Sequence, residues 1–228
     1  MPKTALVIIA RTPEEGKVKT RLAATIGTAE TLRLYKAFLC DLACRFTGSQ
    51  EDGYTVHWAY TPTEADFAAS LTDLAPDATP GHCFPQCGPD LGSRLHHIFH
   101  TTTTFGFQQT IVIGSDTPQI GREVITQAYQ ALEQADVVLG PAEDGGYYLI
   151  AMRKPYDLFS QIPMSTAQVL QMTIERAHRL GLSIHLLEPL FDIDELPELL
   201  RLKALLEVQP ELAPASATII CSLSRGLL

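Results

Sequence analysis

The chain has 228 residues, 46% hydrophobic and 19% charged, a composition that supports a sizeable core and excludes global disorder. Its net charge of −9, with no basic run, argues against broad electrostatic binding to nucleic acid. No apolar run approaches the length of a bilayer span. The length fits one α/β domain covering residues 1–228. The five cysteines are odd in number, and the chain opens on a strand pattern instead of a signal peptide, which points to reduced thiols in a cytoplasm.

Ala5 to Ile9 is a continuous apolar run, the pattern of a strand buried on both faces. A charged loop with Gly and Pro follows, from Arg11 to Arg21. Leu32, Tyr35, Phe38, Leu39, Leu42 and Phe46 recur at helical spacing, and Cys40 and Cys44 lie within that stripe. Tyr54 to Tyr60 reads as a second strand, and Phe67, Leu71 and Leu74 mark a short helix. Gly88-Pro89-Asp90 is a breaker whose Asp90 can cap a helix carrying Leu91, Leu95, Ile98 and Phe99. His96 and His100 share a face of that helix, whereas His97 does not.

A strand ends at Ile113, and Val124, Ile125, Ala128 and Leu132 give another helix. Val137 to Leu139 and Tyr147 to Met152 read as strands. Ser165-Thr166-Ala167-Gln168 has the pattern of a capping box, opening a helix that runs to about Leu180 and stops at Gly181. Ser183 to Leu187 is a late strand, and Pro197 to Leu206 a last amphipathic helix. The tail beyond Pro210 has no clear pattern. Its Ile219, Ile220, Leu223, Leu227 and Leu228 would pack on the sheet or on a second subunit, which leaves a homodimer open. Alternation of this kind predicts a three-layer α/β/α sandwich, Rossmann-like, with a mostly parallel sheet.

Four constellations bear chemistry. In Ile111-Val112-Ile113-Gly114-Ser115-Asp116-Thr117-Pro118 a buried strand breaks off and leaves Asp116 at its C-terminal mouth, where open α/β sheets bind ligands. Between Arg11 and Arg21 the chain holds four cations, and an extended loop would aim Lys17, Lys19 and Arg21 to one side, toward phosphates. The bland alternative is a solvated loop balancing Glu14 and Glu15. The stretch Gln86 to Arg94 offers Gly88 and Gly92 for close backbone approach and a helix N-terminus for an anion. Gly140 to Tyr148 sets Glu143 and Asp144 beside Gly145 and Gly146, either as a substrate loop or as a tight Asp-Gly hairpin. In Phe191-Asp192-Ile193-Asp194 the carboxylates alternate, so Asp192 and Asp194 share a side and, with Asp116, could hold a hard divalent cation; Asp194 could equally cap the next helix. A zinc site built from Cys40, Cys44, Cys83 and Cys87 competes with ordinary core thiols.

Together these motifs, in this order, resemble the DUF2064 group of GT-A-like transferases, from Leu6 to about Leu206. That group lies in the nucleotide-diphospho-sugar transferase superfamily, near the molybdenum-cofactor and phospholactate guanylyltransferases. The resemblance implies catalytic roles for Asp116, Lys19, Arg21 and Asp144. It implies nucleotide binding by Arg11, Gly16, Lys17, Lys19, Thr20, Arg21, Gln86, Gly88, Asp90, Leu91, Gly92, Arg94 and Ser115. Glu143, Asp144, Gly145, Gly146 and Tyr147 would line the substrate pocket, and Asp116, Asp194 and Asp192 would hold Mg²⁺ or Mn²⁺. The chain departs from the family pattern at Arg11, where Lys is usual, and at Met164, where an aromatic residue is usual. Three activities fit: nucleotidyl transfer from an NTP, glycosyl transfer from a nucleotide-sugar to a small acceptor, and nucleotide binding without catalysis.

Overall fold

The computed structural model describes residues 3–47, 53–79, 81–164 and 166–223. Strand β1 (Thr4–Arg11) sends Leu6, Ile8 and Ala10 into one core and Ala5 and Val7 into another. A strand apolar on both faces needs cover on both, and the rest of the chain supplies it. In chain order come α1 (Thr20–Ile26), α2 (Thr28–Arg45), β2 (Tyr54–Thr61), α3 (Phe67–Leu74), β3 (His82–Pro85), α4 (Leu91–Thr104) and β4 (Gln109–Gly114). Then follow α5 (Arg122–Ala131), β5 (Val137–Pro141), β6 (Tyr147–Met152), α6 (Val169–Arg179), β7 (Ile184–Leu186), α7 (Leu196–Val208) and α8 (Pro214–Leu223).

The described strands form one sheet in the order β3-β2-β1-β4-β6-β5-β7. Only β6 runs antiparallel to its neighbours β4 and β5. Helices α1, α2, α3, α5, α7 and α8 contribute to the core on one face, and α4 and α6 to the core on the other. The architecture is the three-layer, mostly parallel sandwich that the alternating pattern predicts. Among the described residues no helix is long and apolar enough to cross a membrane.

Three elements were not legible in the pattern: α1, β3 and α8. The last has a plain cause. Asp41, on α2, accepts hydrogen bonds from the backbone N–H groups of Ala215 (2.8 Å) and Ser216 (2.9 Å) and from the Ser216 hydroxyl, so α8 takes its N-terminal cap from a distant part of the chain. Ile220 and Leu223 are buried against the sheet's helical layer, while Leu227 and Leu228 lie outside the described residues. The capping box expected to start at Ser165 falls on a residue outside those described; α6 itself starts at Val169, and Gln168 at its N-cap makes no side-chain cap. The expected stop holds, with Gly181 at φ 70° and the Leu182 N–H bonded to Ala177 O at 3.0 Å.

Two predictions follow from packing. Asp41→Ala removes the acceptor for three donors and should cost about 1–3 kcal/mol in urea denaturation. His57 is buried among Phe84, Phe105, Phe107 and His82, and burial, then His82, pushes its imidazole down to about 4. The unfolded chain therefore takes up this proton at higher pH than the folded one. Stability should fall as pH drops from about 6.5 to about 4, by at most about 1.4 kcal/mol per unit from this group. In pH-dependent denaturation His57→Phe should flatten that part of the profile.

Candidate functional site

The chain winds outward from β1 to β2 and β3, then returns to place β4 on the other side of β1. Such a reversal opens a crevice at the carboxyl ends of the strands. A cavity of about 380 Å³ lies there, lined by Arg11 at the end of β1, Thr61 at the end of β2, Gln86 after β3, and Ser115 and Asp116 after β4. Lys17, Lys19, Thr20, Arg21, Tyr35 and Asp194 complete its wall. Asp194 reaches this point because the Ile193 N–H donates to Asp116 O at 2.9 Å while the Ile193 side chain is fully buried. The segment is thereby pinned beside the end of β4, with both its aspartates turned away from the core.

Lys19 is the centre of the arrangement. Its ammonium lies 2.9 Å from Asp116 Oδ1 and 2.8 Å from Asp194 Oδ1, and its side chain is only 5% exposed. Burial alone would lower its pKa, but Asp116 and Asp194 outweigh that and raise it above the ordinary lysine value. Burial opposes ionisation of Asp194 in turn, yet Lys19 and Arg21 hold its carboxyl below the usual range. Arg21, in the first turn of α1, adds longer contacts to Asp194 Oδ2 (3.3 Å) and Glu195 Oε1 (3.4 Å) from an exposed position.

Tyr35, on α2, braces the floor. Its hydroxyl accepts from the Arg11 N–H (2.9 Å), donates to Arg11 O (3.0 Å) and lies 3.2 Å from Ser115 Oγ. Burial, then the nearby Asp116 charge, raises its pKa, so the phenol stays protonated. Gln86 ties the ends of two strands together by donating to Ala10 O (3.2 Å) and Ala59 O (2.8 Å).

A second cavity, about 510 Å³, shares Arg21 and Asp194 with the first. Glu143, Asp144, Asp192, Glu195 and Glu198 line it, with Phe191, Pro197 and Arg201. Arg201 pairs with both oxygens of Glu143 (2.5 and 2.8 Å) and stacks on Phe191, 4.0 Å from the ring centroid. Burial, then Asp144 and Asp194, pushes the Asp192 carboxyl up to about 6.

Several sequence expectations need correction. The loop from Arg11 is not extended: Gly16 turns at φ 72°, Lys19 sits at φ 47°, and Thr20 and Arg21 already belong to α1. Lys17 therefore pairs with Glu14 at 2.6 Å instead of following Lys19, and Gly16 shapes the turn without lining the cavity. Of the stretch from Gln86 to Arg94, only Gln86 reaches the cavity. Gly88 is needed because a Cβ there would lie 2.7 Å from that of Ser93, and Arg94 Nε folds back onto Gly88 O at 3.0 Å. Asp90 caps α4 through the Ser93 N–H (2.8 Å), and Asp90 and Gly92 face a separate hollow beside Phe159 and Ser160. Leu91 lines neither cavity, and Met164 packs near Gly92.

The Gly140–Tyr148 stretch is both a hairpin and a pocket edge. Gly146 N–H donates to Asp144 Oδ1 (2.8 Å), and Gly145, at φ 92°, has no room for a Cβ against Ala167 O. Glu143 and Asp144 face the second cavity, but Gly145 and Gly146 only shape the turn, and Tyr147 packs into the core beside α4 and α6. Asp194 does not cap α7; Glu195 does, with its N–H bonded to Glu198 Oε2 at 3.1 Å. Among the described residues no group of three or more His, Cys, Asp or Glu is placed to hold a metal, so Asp116, Asp192 and Asp194 do not converge as a trio, and the cysteines form no such cluster. Sequence reasoning missed Tyr35, Thr61, Phe191 and Arg201 as site residues. Tyr35 carries a core-like helical spacing, and the Arg201–Glu143 pair joins distant segments with no local pattern.

Residues 47–166, more than half of the chain, match the family described as an uncharacterized protein conserved in bacteria (DUF2064). Asp116 and Asp144 fall inside that span; Lys19, Arg21, Asp192 and Asp194 fall outside it. A crystal structure from Desulfovibrio desulfuricans G20, provisionally assigned as a nucleotide-diphospho-sugar transferase, superposes with a TM-score of 0.89 at 28% identity over 99% of this chain and 96% of that one. The 4-diphosphocytidyl-2C-methyl-D-erythritol synthase of Anaerococcus prevotii DSM 20548 shares the fold, with a TM-score of 0.58 at 8% identity over 90% and 96% of the two chains. So does a CMP:2-keto-3-deoxy-manno-octonic acid synthetase complexed with CTP, with a TM-score of 0.54 at 15% identity over 90% and 99%. No curated protein matches the chain.

Tyr35→Phe should test the brace. It leaves the Arg11 N–H without its acceptor and removes the donor to Arg11 O. Urea denaturation should show a loss of about 1–3 kcal/mol.

Proposed function

The chain belongs to the DUF2064 family, and from that premise we propose that it is a single-domain transferase whose donor is a nucleotide, with glycosyl transfer from a nucleotide-sugar to a small acceptor as the better-supported chemistry. The observation that carries this reading is the convergence of Asp116 and Asp194 on one cationic point at the crevice where β1 and β4 diverge. Five free thiols accord with a reducing cytoplasm.

Charge balance argues that a cation accompanies the donor. Around the first cavity, three of the four cations are already paired: Lys17 with Glu14, Lys19 with Asp116 and Asp194, and Arg21 with Asp194 and Glu195. Most of the positive charge of the loop is therefore already engaged by carboxylates before a diphosphate arrives. Two carboxylate oxygens meeting at one point fit a hard divalent cation, Mg²⁺ or Mn²⁺, which commonly takes one or two carboxylates and completes its shell with phosphate and water. Held there, such an ion would neutralise charge on the leaving diphosphate. Arg21 and Arg11 contact donor phosphate oxygens, and the Tyr35 brace keeps Arg11 and Ser115 in fixed relation to them.

The second cavity favours glycosyl over nucleotidyl transfer. Its carboxylates outnumber its two arginines, and both arginines are already paired with carboxylates. Such a lining repels a phosphate-bearing acceptor and accepts hydrogen bonds from hydroxyls. Asp144, at the rim of the hairpin, receives a sugar or acceptor hydroxyl.

The test is a thermal-shift panel of NTPs and UDP-, GDP- and ADP-sugars, with and without Mn²⁺. A nucleotide-sugar should raise the melting temperature only with Mn²⁺, corresponding to about 2.7 kcal/mol at a hundred times its Kd. Asp116→Ala should abolish the metal-dependent part while leaving the fold intact. Stronger stabilisation by an NTP than by any nucleotide-sugar would instead favour nucleotidyl transfer. Stabilisation that ignores metal would point to nucleotide binding without catalysis.

A further inference from the structure

The place between Asp116 and Asp194 already holds a cation, and it belongs to the protein. We infer that the Lys19 ammonium is the resident counter-cation of this carboxylate pair, that a divalent cation binds there by displacing it, and that the displaced side chain becomes a phosphate ligand in the donor cavity. The inference rests on the reading of Asp116 and Asp194 as metal ligands.

Charge repulsion opposes simultaneous occupancy. Lys19 Nζ touches one oxygen of each carboxylate, at 2.9 and 2.8 Å. A divalent ion shared by the same two oxygens would sit at about 2.0–2.1 Å from each. It would then lie within about 4 Å of the ammonium, and two like charges at that range repel strongly in a partly buried site. Removing the ammonium from the pair leaves the carboxylates neutralised by the new ion, so the exchange strands no buried charge.

The displaced side chain has somewhere to go. Lys19 lines the cavity proposed for the donor phosphates, and its flexible four-carbon stem lets the ammonium swing without moving the backbone. Its backbone is held in the left-handed region, at φ 47° and ψ 48°, where residues bearing a side chain are uncommon. That conformation directs Lys19 inward, whereas Arg21, two residues on, remains exposed. The result is an ordered sequence. The metal-free protein keeps its acidic pair neutralised, and metal entry releases a cation toward the incoming phosphate.

Two measurements without turnover test this. Mn²⁺ affinity, read by titration calorimetry in the absence of nucleotide, should be about tenfold tighter in Lys19→Met than in wild type, because the competing charge is gone. In the wild-type protein, acetylation of Lys19 by an amine-reactive ester, read by mass spectrometry, should be slow without metal and rise several-fold at saturating Mn²⁺, while Lys203 labelling stays unchanged. Equal or weaker Mn²⁺ binding by Lys19→Met, or unchanged Lys19 labelling at saturation, overturns the exchange while leaving the metal site standing. If Mn²⁺ binds neither protein, the metal reading falls together with the exchange.

Discussion

A lysine ammonium cannot remain charged in a protein interior without carboxylates beside it, and that constraint organises this molecule. Lys19 meets it with Asp116 and Asp194. One comes from the end of β4 and the other from the segment before α7, so three distant stretches must converge for the ion triad to exist. The backbone bond from Ile193 to Asp116 O and the buried Ile193 side chain make that convergence part of the fold and not a surface accident. Without either carboxylate Lys19 would be an uncompensated buried charge, whereas Asp116 and Asp194 keep access to solvent.

Helix α2 transmits the same order outward. Tyr35, Asp41 and Arg45 lie along it and reach three separate places. Tyr35 fixes the backbone of Arg11 and approaches Ser115. Asp41 caps α8. Arg45 donates to Pro118 O (2.6 Å) and Ile120 O (2.8 Å), holding the chain just beyond Asp116, and also to Leu212 O. Buried polar side chains of this kind satisfy backbone groups that no strand or helix ladder can reach. The loop carrying Asp116 is thus supported from below by Arg45 and from the side by Ile193. Much of the bracing of the site comes from one helix whose sequence reads mainly as an apolar stripe.

The two cavities divide the chemistry by charge. Cations outnumber carboxylates in the lining of the first, and the second is dominated by carboxylates. They share Arg21 and Asp194 and are therefore contiguous. Close packing at Gly140, where a Cβ would lie 2.4 Å from the Tyr148 ring, and at Gly145 against Ala167 sets the edge of the second cavity. These glycines act through space-filling, which explains why a glycine-rich stretch that resembles a ligand cradle serves here as scaffold.

Local sequence determined the layers. The continuous apolar run of β1, the helical spacing of α2, α4 and α5, the Gly181 stop and the break after Ile113 all depend on neighbours within a few residues, and each was legible. It also placed Asp116 at a strand mouth, because Gly114 and Pro118 bracket it in the chain. Which cations face which carboxylates was decided only by the tertiary structure. Lys17 and Lys19 look equivalent in the sequence, yet one pairs with Glu14 at the surface and the other is buried against Asp116 and Asp194. Likewise, the tail beyond Pro210 became a helix because Asp41, far away in the chain, supplied its cap. Ion pairs and caps of this kind depend on distance in space, and spacing along the chain records only those partners that the backbone keeps close.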